Sequence, residues 1–339
     1  MNSQRRHWLV RQARRAAALG LAPLGASPAL TAFAAADPAS PTAYPSKPVR
    51  FVVPFAAASG TDLVARLYAD RLADAAGTAV VVDNKAGANG VIGARAAAQA
   101  AADGYTVLIA TNTTHAANVS LVKKLGYDPV AEFAPVTLLG SVSLVMVVPA
   151  SNPATTVAEF TEQARKNPGK MTFGAGSASS RVSVEMYKSM AGVDVLFVPY
   201  KSNPPAVTDL IGGQISMMIA DASVLLPHIQ SGKLRALAVT GPTRLKSLPQ
   251  VPTMSEAGLH GYELTGWFAA YVPAKTPPEV VRRLNELFLQ ASRSDKVREG
   301  LDKLGGDVRT SSPQELASFA ASETQKWSRT VRAAKIEPE

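Results

Sequence analysis

The chain reads as an α/β protein divided into two domains, and three observations carry that reading. Strand-like runs alternate with helical patterns along most of its length, the order that gives parallel sheets with crossover helices. Its 339 residues exceed what one core usually supports. It also has no cysteine, so no disulfide, thiolate metal site or Cys nucleophile is available, and the fold rests on a composition that is 47% hydrophobic.

The elements follow in order. Arg5, Arg6, Arg11, Arg14 and Arg15 form a basic stretch without an acid. Residues 16–36 carry no charge and end in Ala32-Phe33-Ala34 and Ala34-Ala35-Ala36, both small-x-small cleavage patterns. Residues 1–36 therefore read as an export signal, cleaved to leave a periplasmic protein. Arg5-Arg6-His7-Trp8-Leu9 resembles a twin-arginine signal, which exports folded chains. An uncleaved anchor is the alternative, but so much Ala, Gly and Pro makes a poor spanning helix. The net charge of +9 falls to +4 without the leader arginines, 30 basic residues against 26 acidic. That favours anions mildly and is no phosphate-backbone footprint, so no nucleic-acid partner is expected.

Residues 37–43 read as a linker. Strands are expected over 50–54, 79–83, 106–111, 144–148, 171–174, 196–200, 215–220 and 234–240. Helices are expected over 63–76, 93–102, 157–165, 183–190, 206–212 and 222–230, and Gly77, Asn167, Gly192 and Gly232 supply C-cap chemistry. The early strands form one set and those over 171–240 a second. Residues 277–305 and 313–335 are amphipathic helical tracts with the stripe Val280, Leu284, Leu287 and Phe288, and they must cover a sheet. A strand over 266–273 leads back to the first domain. Crossings near 138–148 and 264–272 would form a two-segment hinge, giving lobe 1 as 44–141 plus 266–339 and lobe 2 as 142–265. A ligand then sits between the lobes at the C-terminal ends of the strands.

Residues 49–66, VRFVVPFAAASGTDLVAR, carry the most chemistry. A short strand runs through small residues into a helix start, where free N–H groups and the helix dipole receive an anion. Neither Gly-x-Gly-x-x-Gly nor Gly-Lys-Ser/Thr is present, so a small carboxylate suits the site better than a nucleotide phosphate. Gly174-Ala175-Gly176-Ser177-Ala178-Ser179-Ser180 is a second turn of this kind, and two facing helix N-termini would hold a ligand with a carboxylate at each end. No metal-ligand spacing occurs among His7, His115, His228 and His260, and no cofactor motif is present. A Ser–His–Asp hydrolase built from Ser59, Ser177 or Ser179 with His115 and Asp221 is the enzymatic alternative, but no serine sits in a Gly-x-Ser-x-Gly elbow. The chain is read as non-enzymatic.

YPSKPVRFVVPF, VVVDNKAGANGVIGA, DGYTVLIATNTTHAAN, YDPVAEFAPVTLL, FVPYKSNPPAVTDLIGGQI, GKLRALAVTGPTRLKSLPQVPTMSEAG and TPPEVVRRLNE occur in that order. Together they resemble the Bug-type substrate-binding receptors of tripartite tricarboxylate transporters. The resemblance implies a two-lobed periplasmic-binding-protein clamp of type II, Venus-flytrap form, with two sheets and a hinge. It implies a di- or tricarboxylate, acidic amino acid or aromatic acid as ligand, and either a permease of one large and one small membrane subunit or a role in sensing. A monomer is expected.

The family's first ligand loop maps onto 55–62, making Ser59, Gly60 and Thr61 candidates. Asp62 is either a ligand neighbour or a helix N-cap, the second suiting an anion site better. Thr113 and His115 follow a strand end, with His115 open to a structural reading. Ser177, Ala178 and Ser179 belong to the opposite turn, where Arg181 stands in place of the family's frequent His. Tyr200 ends another strand, followed by Lys201 and by Ser202 where relatives have Gly. Asp221 is either an acceptor at the ligand or the cap of the following helix.

Overall fold

The computed structural model describes residues 44–338; the expected leader and linker lie outside them. The first segment is β1 (Val49–Val53), α1 (Gly60–Ala76), β2 (Val80–Asn84), α2 (Val91–Ala98) and β3 (Thr106–Thr111). A π turn over Thr113–Ala117 then runs into the short α3 (Asn118–Leu121) and the long β4 (Phe133–Pro149). Next come α4 (Val157–Lys166), β5 (Thr172–Ala175), α5 (Ala178–Ala191), β6 (Leu196–Pro199), α6 (Asn203–Ile211), β7 (Met218–Asp221), α7 (Ala222–Gln230) and β8 (Leu234–Val239). The chain returns through β9 (Thr265–Pro273), α8 (Pro278–Ser292), α9 (Asp295–Lys303), β10 (Gly306–Val308) and α10 (Pro313–Ala333).

The sheet topology is more mixed than the alternation suggests. β1 pairs in parallel with β2 and β3, and β5 with β6. β9 runs antiparallel to both β3 and β4. β4 is the common member of the larger sheet. Its first part pairs with β9 and β10, and its last residues, from Leu144, pair with β7 and β8. The expected second strand set is therefore joined to the first through one strand, while β5–β6 form a small separate sheet. This is the two-lobed α/β clamp, with β4 shared between the two parts of the larger sheet.

Period-2 alternation explains how β4 serves two cores. Leu144, Met146 and Val148 face one buried cluster; Val145 and Val147 face the other. In α1, Val64, Ala65, Tyr68, Ala69 and Leu72 bury one helical stripe. Phe51 and Phe288 stack at 5.6 Å beneath it, and Tyr68 donates to the Leu139 carbonyl at 2.6 Å. The expected tract over 277–305 is two helices. Ser294 caps α9, accepting from the Val297 N–H, and divides them. α10 opens with a capping box, in which the Ser312 side chain and Glu315 exchange bonds with each other's backbone. Among the described residues no helix is long and apolar enough to cross a membrane.

Candidate functional site

The site forms where turns after several strands meet. α1 begins at a true cap: Ser59 is extended, and its Oγ accepts from the Asp62 N–H. The first bond to the Ser59 carbonyl comes from Leu63, which leaves the Gly60 and Thr61 N–H groups without a helical partner. α5 repeats the design. Ser177 caps it through the Ser180 N–H, and the Ala178 and Ser179 N–H groups are left over. Ser202 and Asp221 occupy the N-cap positions of α6 and α7, yet neither side chain makes a capping bond. Four helix N-termini thus converge on one cavity, lined by Ser59, Thr61, Ser177, Ser179, Ser202 and Asp221 among others.

The approach is tight. A Cβ on Gly176 would stand 2.0 Å from the Ser202 carbonyl carbon, so only glycine lets the starts of α5 and α6 meet. Asn203 locks the join, its Oδ1 accepting from the Gly176 N–H and the Ser180 hydroxyl. Val142 and Gly266, partners across the β4–β9 crossing, form part of the wall with Phe55 and Phe268. The cavity volume is about 20 Å³, space for roughly one water.

Its electrostatics are unusual for an anion site. Among the described residues no Lys, Arg or His lines it, and Asp221 is its one ionisable side chain. Burial raises the Asp221 carboxyl to about 6. Thr111 Oγ1, Asn112 Nδ2 and Ser202 Oγ on the lining, and Ser223 Oγ beside it, are buried without a hydrogen-bond partner. Native interiors rarely leave such groups unpaired, so the cluster is suited to a polar guest. A larger hollow of about 670 Å³ lies against Thr155, Thr156, Arg235 and Pro252, but Arg235 is already committed to the carbonyls of Asn152, Ala154 and Ala150.

The family profile described as "Tripartite tricarboxylate transporter family receptor" matches residues 64–336. The chain belongs to this receptor family. Protein BugT of Bordetella pertussis is 35% identical over 300 residues, covering 88% of this chain and 92% of that one. Of solved structures, R. palustris Rpa4515 with adipate has a TM-score of 0.85 at 35% identity, covering 87% of this chain and 100% of the other. MatC (Rpa3494) from Rhodopseudomonas palustris with bound malate has a TM-score of 0.80 at 31% identity, covering 85% and 100%.

In this receptor of the tripartite family, the residues singled out in the sequence divide. Ser59, Thr61, Thr113, Ser177, Ser179 and Asp221 line the cavity; Gly60 and Ala178 stand beside them in the first turns of α1 and α5. Asp62 is neither a cavity residue nor the N-cap: Ser59 holds the cap, and Asp62 sits in the first turn of α1. Burial alone would raise its carboxyl, but bonds from Arg66, Asn84 and the Ala58 N–H hold it below the usual range. His115 is a core residue packed on Tyr271 at 4.1 Å and Phe133 at 4.9 Å, its Nδ1 bonded to Thr114 Oγ1. Burial lowers it to about 3, so it is neutral. Tyr200 donates to Asp209 at 2.6 Å and does not line the cavity. Thr111, Asn112, Ser202 and Asn203 join the site without having been selected; Thr111 ends and Asn112 follows the same strand that pointed to Thr113, and Ser202 stood out only as a departure from Gly.

Proposed function

We propose that this receptor is a periplasmic solute-binding protein that captures a small carboxylate between two lobes and presents it to a permease of one large and one small membrane subunit. The lobes are residues 44–141 with 266–339, and residues 142–265, turning about the β4–β9 crossing. One observation carries the reading: four helix N-termini and a set of unpartnered buried hydroxyl and amide groups face a single cavity without a basic side chain. Such a site binds an anion through dipoles and neutral donors. Each N-terminus contributes about 0.3–1 kcal/mol, and more when partly buried. Several charge-assisted bonds at about 1.5–3 kcal/mol each are ample for micromolar capture, which needs about 8 kcal/mol net.

Relatives bound to adipate and malate support the carboxylate class. A hydrolase finds no support: the hydrogen-bond partner of the His115 ring among the described residues is Thr114, not a cavity serine. Because the cavity holds about one water, the lobes part to admit the ligand and close over it. A thermal-melting panel of mono-, di- and tricarboxylates tests the reading. A ligand at a hundredfold excess over Kd stabilises the folded state by about 2.7 kcal/mol, several degrees of melting temperature. If no carboxylate shifts the transition, the ligand class is wrong.

A further inference from the structure

We propose that the captured solute is an amino acid, a carboxylate that also carries an ammonium group, and that Asp221 receives the ammonium. This rests on the carboxylate-receptor reading above and narrows its ligand. Every other side chain lining the cavity is uncharged, and its hydroxyl and amide groups suit an anion. Asp221 does not, because an ionised carboxylate only accepts hydrogen bonds.

Among the described residues nothing accounts for a carboxylate at this position. It occupies the N-cap of α7 and makes no capping bond. No hydrogen bond or opposite charge perturbs its acidity; burial is the sole cause of its shift. Gly60 is bare on the side where it sits. A Cβ there would stand 2.9 Å from Asp221 Oδ2 and 2.8 Å from Ser223 Oγ, and that hydroxyl is itself unpartnered. A carboxylate and a free hydroxyl therefore share a patch over the start of α1. The nearest acid on that helix, Asp62, is already bonded to Arg66 and Asn84 and offers Asp221 nothing.

Three kinds of ligand group can meet this patch. A second ligand carboxylate meets like charge. A ligand hydroxyl gives Asp221 a hydrogen bond but leaves its charge uncompensated in an enclosed site. An ammonium brings the opposite charge and three donors, enough for the carboxylate and for Ser223 Oγ together. The ligand carboxylate is then left to the dipoles and hydroxyls of α1, α5 and α6.

Isothermal titration of the purified protein at pH 7.5 with matched pairs tests this: propionate and alanine, succinate and aspartate, glutarate and glutamate, adipate and 2-aminoadipate. The members of each pair differ only in the ammonium. The expected result is an amino member that binds at least roughly tenfold tighter than its partner. Asp221→Asn, which keeps the shape, should bring that ratio to within about threefold. The proposal is overturned if the plain acid binds as tightly or more tightly in every pair, or if the preference survives Asp221→Asn. Binding by plain acids alone thus removes the amino-acid assignment and keeps the receptor reading; silence from all eight compounds also overturns the assignment, and the wider melting panel then decides the carboxylate reading beneath it.

Discussion

Thr61 and Asp221 separate two kinds of effect that meet in the same cavity. Thr61 is a buried lining residue at the start of α1. Thr61→Val keeps its shape, removes the hydroxyl and leaves an anion oxygen short of a donor. Affinity for the ligand should fall on the order of tenfold with the melting temperature of the free protein little changed; unchanged affinity would remove Thr61 from the site. Asp221 instead costs the free protein stability. Its pKa of about 6 lies above the ordinary 3.8, so the folded state holds the proton more tightly than the unfolded one. The cost is complete above pH 6 and is relieved as pH falls from 6 toward 3.8. Asp221→Asn should therefore stabilise the free protein by about 2–3 kcal/mol at pH 7.5, and by almost nothing near pH 4. Urea unfolding at the two pH values checks this, and equal effects at both would contradict it. Serine and threonine beside glycine at a strand end selected Ser59, Thr61 and Ser177 in the sequence, and all three line the cavity. His115, left open between a ligand and a structural role, takes the structural one because it packs on Phe133 and Tyr271.

At the scale of elements, local chemistry read well where it was self-contained. The expected strand over 106–111 and helix over 222–230 have the observed bounds of β3 and α7. The sequence failed where partners decide. β4 was expected over five residues and has 17, because its first part, with Pro135, Gly140 and Ser141, is poor strand sequence held by pairing with β9 and β10. α5 starts at Ala178 rather than 183, since a serine run that suggests a loop is here a cap and first turn. The docking of α10 was also invisible. Buried Glu323 accepts from the indole N–H of Trp267 on β9 at 3.0 Å and of Trp327 at 3.2 Å. Glu323→Ala would orphan both donors and should destabilise the protein by about 2–4 kcal/mol in urea melts. A loss below about 0.5 kcal/mol would mean that α10 is held by its apolar face alone.

For the whole molecule, one continuous strand, β4, is shared by the two proposed lobes. The lining residues come from both proposed lobes, Ser59 and Thr113 from one and Ser177 and Asp221 from the other, with Val142 and Gly266 at the crossing. On the proposed closure, the protein in solution should be more expanded without ligand than with it. Small-angle scattering should show the radius of gyration falling on ligand addition; identical curves would argue for a rigid site. The central claim is that an anion is held by helix N-termini rather than by basic side chains. A crystal structure with a bound carboxylate tests it most directly. The account predicts carboxylate oxygens within about 3 Å of the Gly60 and Thr61 N–H groups or of those of Ala178 and Ser179, with no Lys or Arg in contact. A carboxylate bound through a basic side chain, or lodged in the hollow beside Arg235, would contradict it.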